Sequence, residues 1–204
     1  MPRTRLAPPG HSQIKLADAL KTLGNIQAKH KRWMAFEPST SGHGSVLHPH
    51  PVYSIRLNRF LEGQPLSATL KKVGWIYFLR DSGTTLACAE VSVISGKHKN
   101  ARLSEGPFVK KAFNLIERVE DDSRIRRRPH ELRFLRLESI HLFALWLRVN
   151  QRVEYFVPVT STGAVLRVGE WISRRDFTKA LRSEGQRILA AQERMSHLLK
   201  IRQG

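Results

Sequence analysis

ELRFLRLESIHLFALWLRVN, residues 131–150, is the stretch that decides the fold. Apolar residues come almost without interruption, first as LRFLRL and then as IHLFALWLRV, with Phe134, Phe143 and Trp146 among them. Two short runs of this density read as strands, the second buried on both faces. VEYFVPV (153–159) should pair beside them, and Thr160 to Gly163 then turn. A helix follows from about Arg174 to Ile201. Its expected apolar side is Phe177, Leu181, Ile188, Ala191, Met195, Leu198 and Leu199, with Arg175, Lys179, Arg182, Arg187 and Arg194 over much of the rest.

Upstream, VYSIRL (52–57) reads as a short strand and Gln64–Lys72 as a second helical stretch. WIYFLRD (75–81), the turn Asp81-Ser82-Gly83 and TLACAEVSVI (85–94) predict a hairpin. In its second strand Leu86, Cys88, Glu90 and Ile94 share one face, and Ala87, Ala89, Val91 and Val93 the other. SGKHKN (95–100) reads as a polar basic turn. Pro107 opens a helix with the apolar stripe Phe108, Ala112, Phe113, Ile116 and Val119, since proline is tolerated in a first turn. Strand runs mixed with helices in this order predict an α+β domain, a mostly antiparallel sheet with helices on one face.

Ahead of that body the sequence predicts an N-terminal arm, residues 1–51, with one helix at about 12–33 capped by Ser12. Residues 37–51, EPSTSGHGSVLHPHP, are loop by composition and serve as a hinge. Residues 52–204 form a single α+β domain in this reading.

Several phrases also occur in a familiar order. VYSIRL with Gly63 soon after, GWIYFLRD, EGPFV, HELRFLRLESIHLFALWLR and YFVPV resemble a family of uncharacterised bacterial proteins. Its members share the succession VYxL, GWxY, EGPF, LRxLR, ALWL and VPL. The resemblance covers about residues 52–180 and implies the domain boundary; it implies no activity.

Charge sets this chain apart. Lys and Arg number 35 against 17 Asp and Glu, a net charge of +18. Residues 1–50, 51–100, 101–150 and 151–204 carry net +5, +4, +4 and +5, so the folded body itself must be cationic. Such a surface attracts nucleic acid, an anionic membrane or an acidic protein, although a basic solvated surface without a partner weighs about equally. The most apolar stretch, Ile140–Val149, is broken by His141 and Arg148 and falls far short of the roughly 20 residues of a membrane span. The N-terminus has no apolar run that would make a secretory signal. Cys88, the single cysteine, suits a reducing, cytoplasmic setting and is expected in the core.

Catalytic signatures are weak. His43, His48 and His50 lie close together, but three histidines without cysteine do not complete a structural zinc set, so no metal or cofactor is expected. SGKHKN lacks both the earlier glycine and the Ser or Thr of a phosphate loop. Asp81 and Glu90 invite a metal-dependent nuclease, yet Ser92 stands where its lysine belongs. The plainer reading of Glu90 is a strand-edge acid paired with an arginine. Glu105 and Glu131 are a further carboxylate pair with no spacing rule to test.

The basic clusters carry more. Lys29-His30-Lys31-Arg32-Trp33 ends the first helix, Arg56 and Arg59-Phe60 follow the first strand, and Arg124 to Arg128 fill a connection. Arginine forks suit phosphate oxygens and neighbouring aromatics can stack on bases, although each cluster alone is usually a solvated face. The leading expectation is a non-enzymatic protein that engages a polyanion, nucleic acid first, through Arg124, Arg126, Arg127, Arg128, Lys97, Lys99, Lys31 and Arg32. The alternatives are a protein-interaction or assembly module using residues 174–204 or a sheet edge, and an enzyme of unrecognised type.

Overall fold

The computed structural model describes residues 45–46, 49–81, 84–94, 97–126, 128–149, 153–161 and 166–202. They form an α+β fold with a mostly antiparallel sheet. In chain order come β1 (Ser45–Val46), β2 (His50–Ile55), α1 (Leu57–Leu61), α2 (Leu66–Thr69), β3 (Leu70–Asp81), β4 (Thr84–Ile94) and β5 (Lys97–Glu105). Helix α3 (Pro107–Asp121), β6 (Glu131–Leu137), β7 (Leu142–Arg148), β8 (Glu154–Thr160), β9 (Ile172–Ser173) and α4 (Arg174–Arg202) follow. Two compact units divide the described residues, one built from those up to 52 and 72–133, the other from 53–71 and 134–202.

In the first unit β4 pairs antiparallel with both β3 and β5, and β1 adds to β3. Trp75, Ile76, Tyr77 and Phe78 of β3 are all buried, as are Ala87, Cys88, Ala89 and Val91 of β4, so this hairpin is covered on both faces. Cys88 lies in the core as expected. Gly74 sits opposite Ser92, and a Cβ built on it would meet the carbonyl oxygen of Val91 at 2.3 Å. Only glycine fits there. Helix α3 buries Val109, Ala112, Phe113, Leu115, Ile116 and Val119, a stripe at helical spacing that packs on β4. Gly106 ahead of it has φ 98°, ψ −165°, a region essentially confined to glycine, and Pro107 then begins the helix. That pair explains the EGPF phrase in backbone terms.

In the second unit the strands run β6-β7-β8-β9. One cluster joins Ile55, Leu57, Phe60 and Leu66 to Leu135, Leu137, Leu142, Ala144 and Trp146, and to Phe156, Phe177 and Leu181. Aromatic rings thread it: Tyr53 meets Trp146 edge-on at 5.3 Å, Trp146 lies over Phe156 at 6.1 Å, and Phe156 stacks on Phe177 at 4.0 Å. Such pairs add about 0.5–1.5 kcal/mol each beyond the area they bury. The carboxylate of Glu154 is nearly buried and takes Arg174 at 3.4 Å and Arg148 at 4.0 Å, tying the start of α4 to β7 and β8. Helix α4 also packs on α1, and Gly185 allows it, because a Cβ there would lie 3.0 Å from Leu57 and Leu61 methyls.

Four expectations are overturned. SGKHKN is not a turn over its described part: from Lys97 the chain is strand β5, with His98 opposite Val93 and Asn100 opposite Ser92. A strand at the end of the hydrogen-bonded order needs only its backbone to pair, and charged residues there discourage further pairing. VYSIRL leaves the strand at Ile55, because the Arg56 N–H donates to the Thr69 carbonyl and Leu57 and Phe60 turn into the core. The helix read over Gln64–Lys72 is one turn, Leu66–Thr69, after which Leu70 already belongs to β3. Of the expected apolar side of the last helix, Ala191 and Met195 are exposed beyond half-buried Ile188, while the side chains of Leu198 and Leu199 lie outside the described ones. The predicted helix at 12–33 lies outside the described residues. No helix among the described residues is long and apolar enough to cross a membrane.

Candidate functional site

The arginine run of the first unit is organised by its one apolar member. Ile125 is fully buried, and the turn around it is closed by the Ile125 and Arg126 N–H groups donating to the Asp122 carbonyl and by Arg128 N–H donating to Ile125. Arg124, Arg126 and Arg128 are thereby turned outward and exposed. Asp122 takes Arg124, accepting its backbone N–H at 2.9 Å and lying 3.4 Å from its Nε. Arg126 and Arg128 have no ion pair among the described residues. Arg127, like Lys31 and Arg32, lies outside them. Lys97 and Lys99 stand on β5 rather than in a loop.

The second unit holds a cationic surface the sequence reading did not select. On α4, Arg175, Lys179 and Arg182 recur at i, i+4 and i+7, so they form one row about 10 Å long. All three are exposed and none has a carboxylate partner among the described residues. The guanidinium of Arg182 lies 5.4 Å over the ring of Phe60, which fixes it without neutralising it. Arg59, beside Phe60 on α1, and Arg56 at the start of that helix are exposed as well. Arg59-Phe60 was visible as a basic–aromatic pair; Arg182 joins it only through tertiary packing. Two other cations of this helix are spent: Arg174 on Glu154, and Arg187 on the buried carboxylate of Glu184 at 2.5 Å.

The row runs against what the helix itself favours. Cations in a first turn oppose the positive end of the helix dipole, and like charges at i, i+4 repel, each by a few tenths of a kcal/mol (about 0.2–1). Ser173 and Asp176 restore the cap: the Ser173 hydroxyl donates to Asp176 at 2.6 Å and accepts the Asp176 backbone N–H at 3.2 Å. Asp176 answers the charge of one arginine, not of the row.

The carboxylates and histidines considered as catalytic candidates stand in separate settings among the described residues. Glu90 sits on β4, a strand flanked by β3 and β5, opposite Ile76 and Arg102, so it is no edge acid. Its partner Ile76 is five positions along β3 from Asp81, about 16 Å of backbone at 3.3 Å per residue. Glu105 is exposed, whereas Glu131 is committed to the guanidinium of nearly buried Arg133. Beside that pair, Lys72 Nζ lies 3.6 Å over the Trp75 ring. Burial pushes the Lys72 ammonium below its usual pKa, Arg133 adds to the effect and Glu131 opposes it. His50 packs edge-on to Phe78, while His43 and His48 lie outside the described residues. Among the described residues no three His, Cys, Asp or Glu side chains are grouped to hold a metal ion.

No protein-family model, no curated protein and no solved structure matches this chain.

Proposed function

We propose that this protein is a non-enzymatic binding or accessory protein that engages nucleic acid through its phosphates. The observation that carries the reading is the row Arg175–Lys179–Arg182, exposed and without carboxylate partners among the described residues, its members repelling one another and its first, Arg175, opposing the helix dipole. A phosphate chain relieves both costs at once and releases its own counterions. Arg126 and Arg128 supply a second unneutralised pair in the first unit. With 35 basic residues against 17 acidic ones, internal pairing leaves a large cationic excess wherever the pairs fall. Phosphate contacts of this kind position a strand and read no sequence. The single buried thiol, Cys88, suits a cytoplasmic setting.

Fluorescence anisotropy with a labelled mixed-sequence DNA at low salt tests it. The triple variant R175A/K179A/R182A should bind at least about tenfold more weakly while remaining folded. Equal binding by the variant, or none by the wild type, overturns the reading.

One observation favours assembly as a second reading: Leu189 and Met195 are 37% and 60% exposed on the stretch of α4 beyond Ile188. Light scattering of the chain with residues 190–204 removed distinguishes it, through loss of a defined oligomer.

A further inference from the structure

Where β2 gives way to α1, and β6 to the single 3-10 turn Glu138–Ile140, the second unit has a cleft of about 450 Å³, within the size range of small-molecule sites. Its polar lining is Ser54, Arg56, Asn58 and Arg59 from one side and Glu138 and Ser139 from the other. Arg56 and Arg59 are i, i+3, hence neighbours on one face of the chain. Their backbones are fixed: Arg56 N–H donates to Thr69, and its carbonyl accepts the Phe60 N–H; the Arg59 carbonyl accepts the Gln64 N–H. Buried Leu57 and Phe60 anchor the segment from below, so both guanidinium groups are displayed without the fold depending on them. Glu138 lines the same cleft, yet no ion pair joins it to either arginine among the described residues. Donors for an anion and an acceptor for hydroxyls thus stand in one concavity without cancelling each other.

We infer that this cleft binds a phosphate monoester carried on a hydroxylated sugar. Arg56 and Arg59 take the phosphate oxygens as charge-assisted donors, with the hydroxyls of Ser54 and Ser139 and the amide of Asn58 beside them. Glu138 accepts from sugar hydroxyls, the role an acidic residue plays toward a ribose in nucleotide sites. A bare phosphate satisfies only the arginines and leaves Glu138 facing an anion. No residue of α4 lines the cleft, so the row and the cleft can be removed by separate variants even though Arg56 and Arg59 lie on the same cationic surface.

Calorimetric titration of the full chain with ribose 5-phosphate, ribose and inorganic phosphate tests the proposal. Ribose 5-phosphate should bind at one site, at least about tenfold more tightly than either fragment, and R56A/R59A should weaken it by about tenfold or more. E138Q should narrow the preference over inorganic phosphate, and R175A/K179A, which touches neither the cleft nor Phe60, should leave binding unchanged. Inorganic phosphate binding as tightly as ribose 5-phosphate, or an R56A/R59A variant indistinguishable from wild type, overturns it. Two RNA oligonucleotides of one sequence, with and without a 5′-phosphate, then separate the sources of the ligand. Preference for the phosphorylated strand assigns the cleft to strand ends; equal affinity, with ribose 5-phosphate still bound, assigns it to a free sugar phosphate or nucleotide.

Discussion

Replacing Gly74 by alanine should destabilise the first unit. The added Cβ would lie 2.3 Å from the Val91 carbonyl oxygen and 3.2 Å from the Ser92 Cα. An ordinary contact of this kind is over 3 Å, so the overlap approaches 1 Å. It cannot be relieved by a rotamer, because both groups are backbone. Gly74 pairs with Ser92 inside a continuous ladder that reaches Leu79 opposite Ala87, and moving β3 away from β4 loosens that ladder and the buried residues it aligns. Overpacking of this type costs typically about 1–3 kcal/mol, and alanine's better strand entropy returns less than about 1 kcal/mol of it. For a chain of this size each kcal/mol moves the melting temperature by about 2–4 °C, so a fall of several degrees is expected by circular dichroism. Gly74→Ala with an unchanged melting temperature would refute the claim that the β3–β4 approach leaves no room for a side chain.

Two further outcomes follow from the packing and the charges. Phe177→Ala, which removes a fully buried ring stacked at 4.0 Å on Phe156, should cost about 3–5 kcal/mol in denaturant unfolding, and a loss below about 1 kcal/mol would mean that α4 does not anchor the second unit. The Lys72 ammonium, followed by NMR after ¹³C-methylation, should titrate below the usual lysine value of 10.5, and Glu131→Gln should lower it further by removing the one charge that supports it. Between the folded and unfolded values the unfolded chain binds the proton more readily, so the contribution of Lys72 to stability rises with pH across that window. A midpoint at or above that of the other lysines contradicts the partial desolvation of its ammonium over Trp75.

Legibility followed hydrophobic density. β4, β6, β7, β8 and α3 announce themselves because apolar residues crowd or repeat there at the period of the element. β5 was illegible for the opposite reason, as an edge ladder is satisfied by backbone groups and KHKNARLSE carries almost no apolar signal. The first five residues of β3, Leu70–Gly74, are hidden behind Lys71 and Lys72, whose charge masks a backbone already extended. Likewise α1 is five residues long, too short to show a period, and is held by Leu57 and Phe60 meeting a core contributed by distant β6, β7 and α4. The cationic sites divide in the same way. Arg124 to Arg128 stand in one run and could be read, though not that buried Ile125 turns its neighbours outward or that Asp122 engages Arg124. The meeting of Arg182 with Phe60, and of Glu138 with Arg56 and Arg59 around one cleft, joins residues far apart in the chain that no local pattern connects.

The nucleic-acid reading is tested most directly by the salt dependence of DNA binding, compared between the wild type and R175A/K179A/R182A. If the three cations each neutralise a phosphate, the slope of log affinity against log salt should become shallower by about 2–3 in the variant, at roughly 0.7–0.9 per contact. Parallel slopes for the two proteins would mean that the row meets no phosphates.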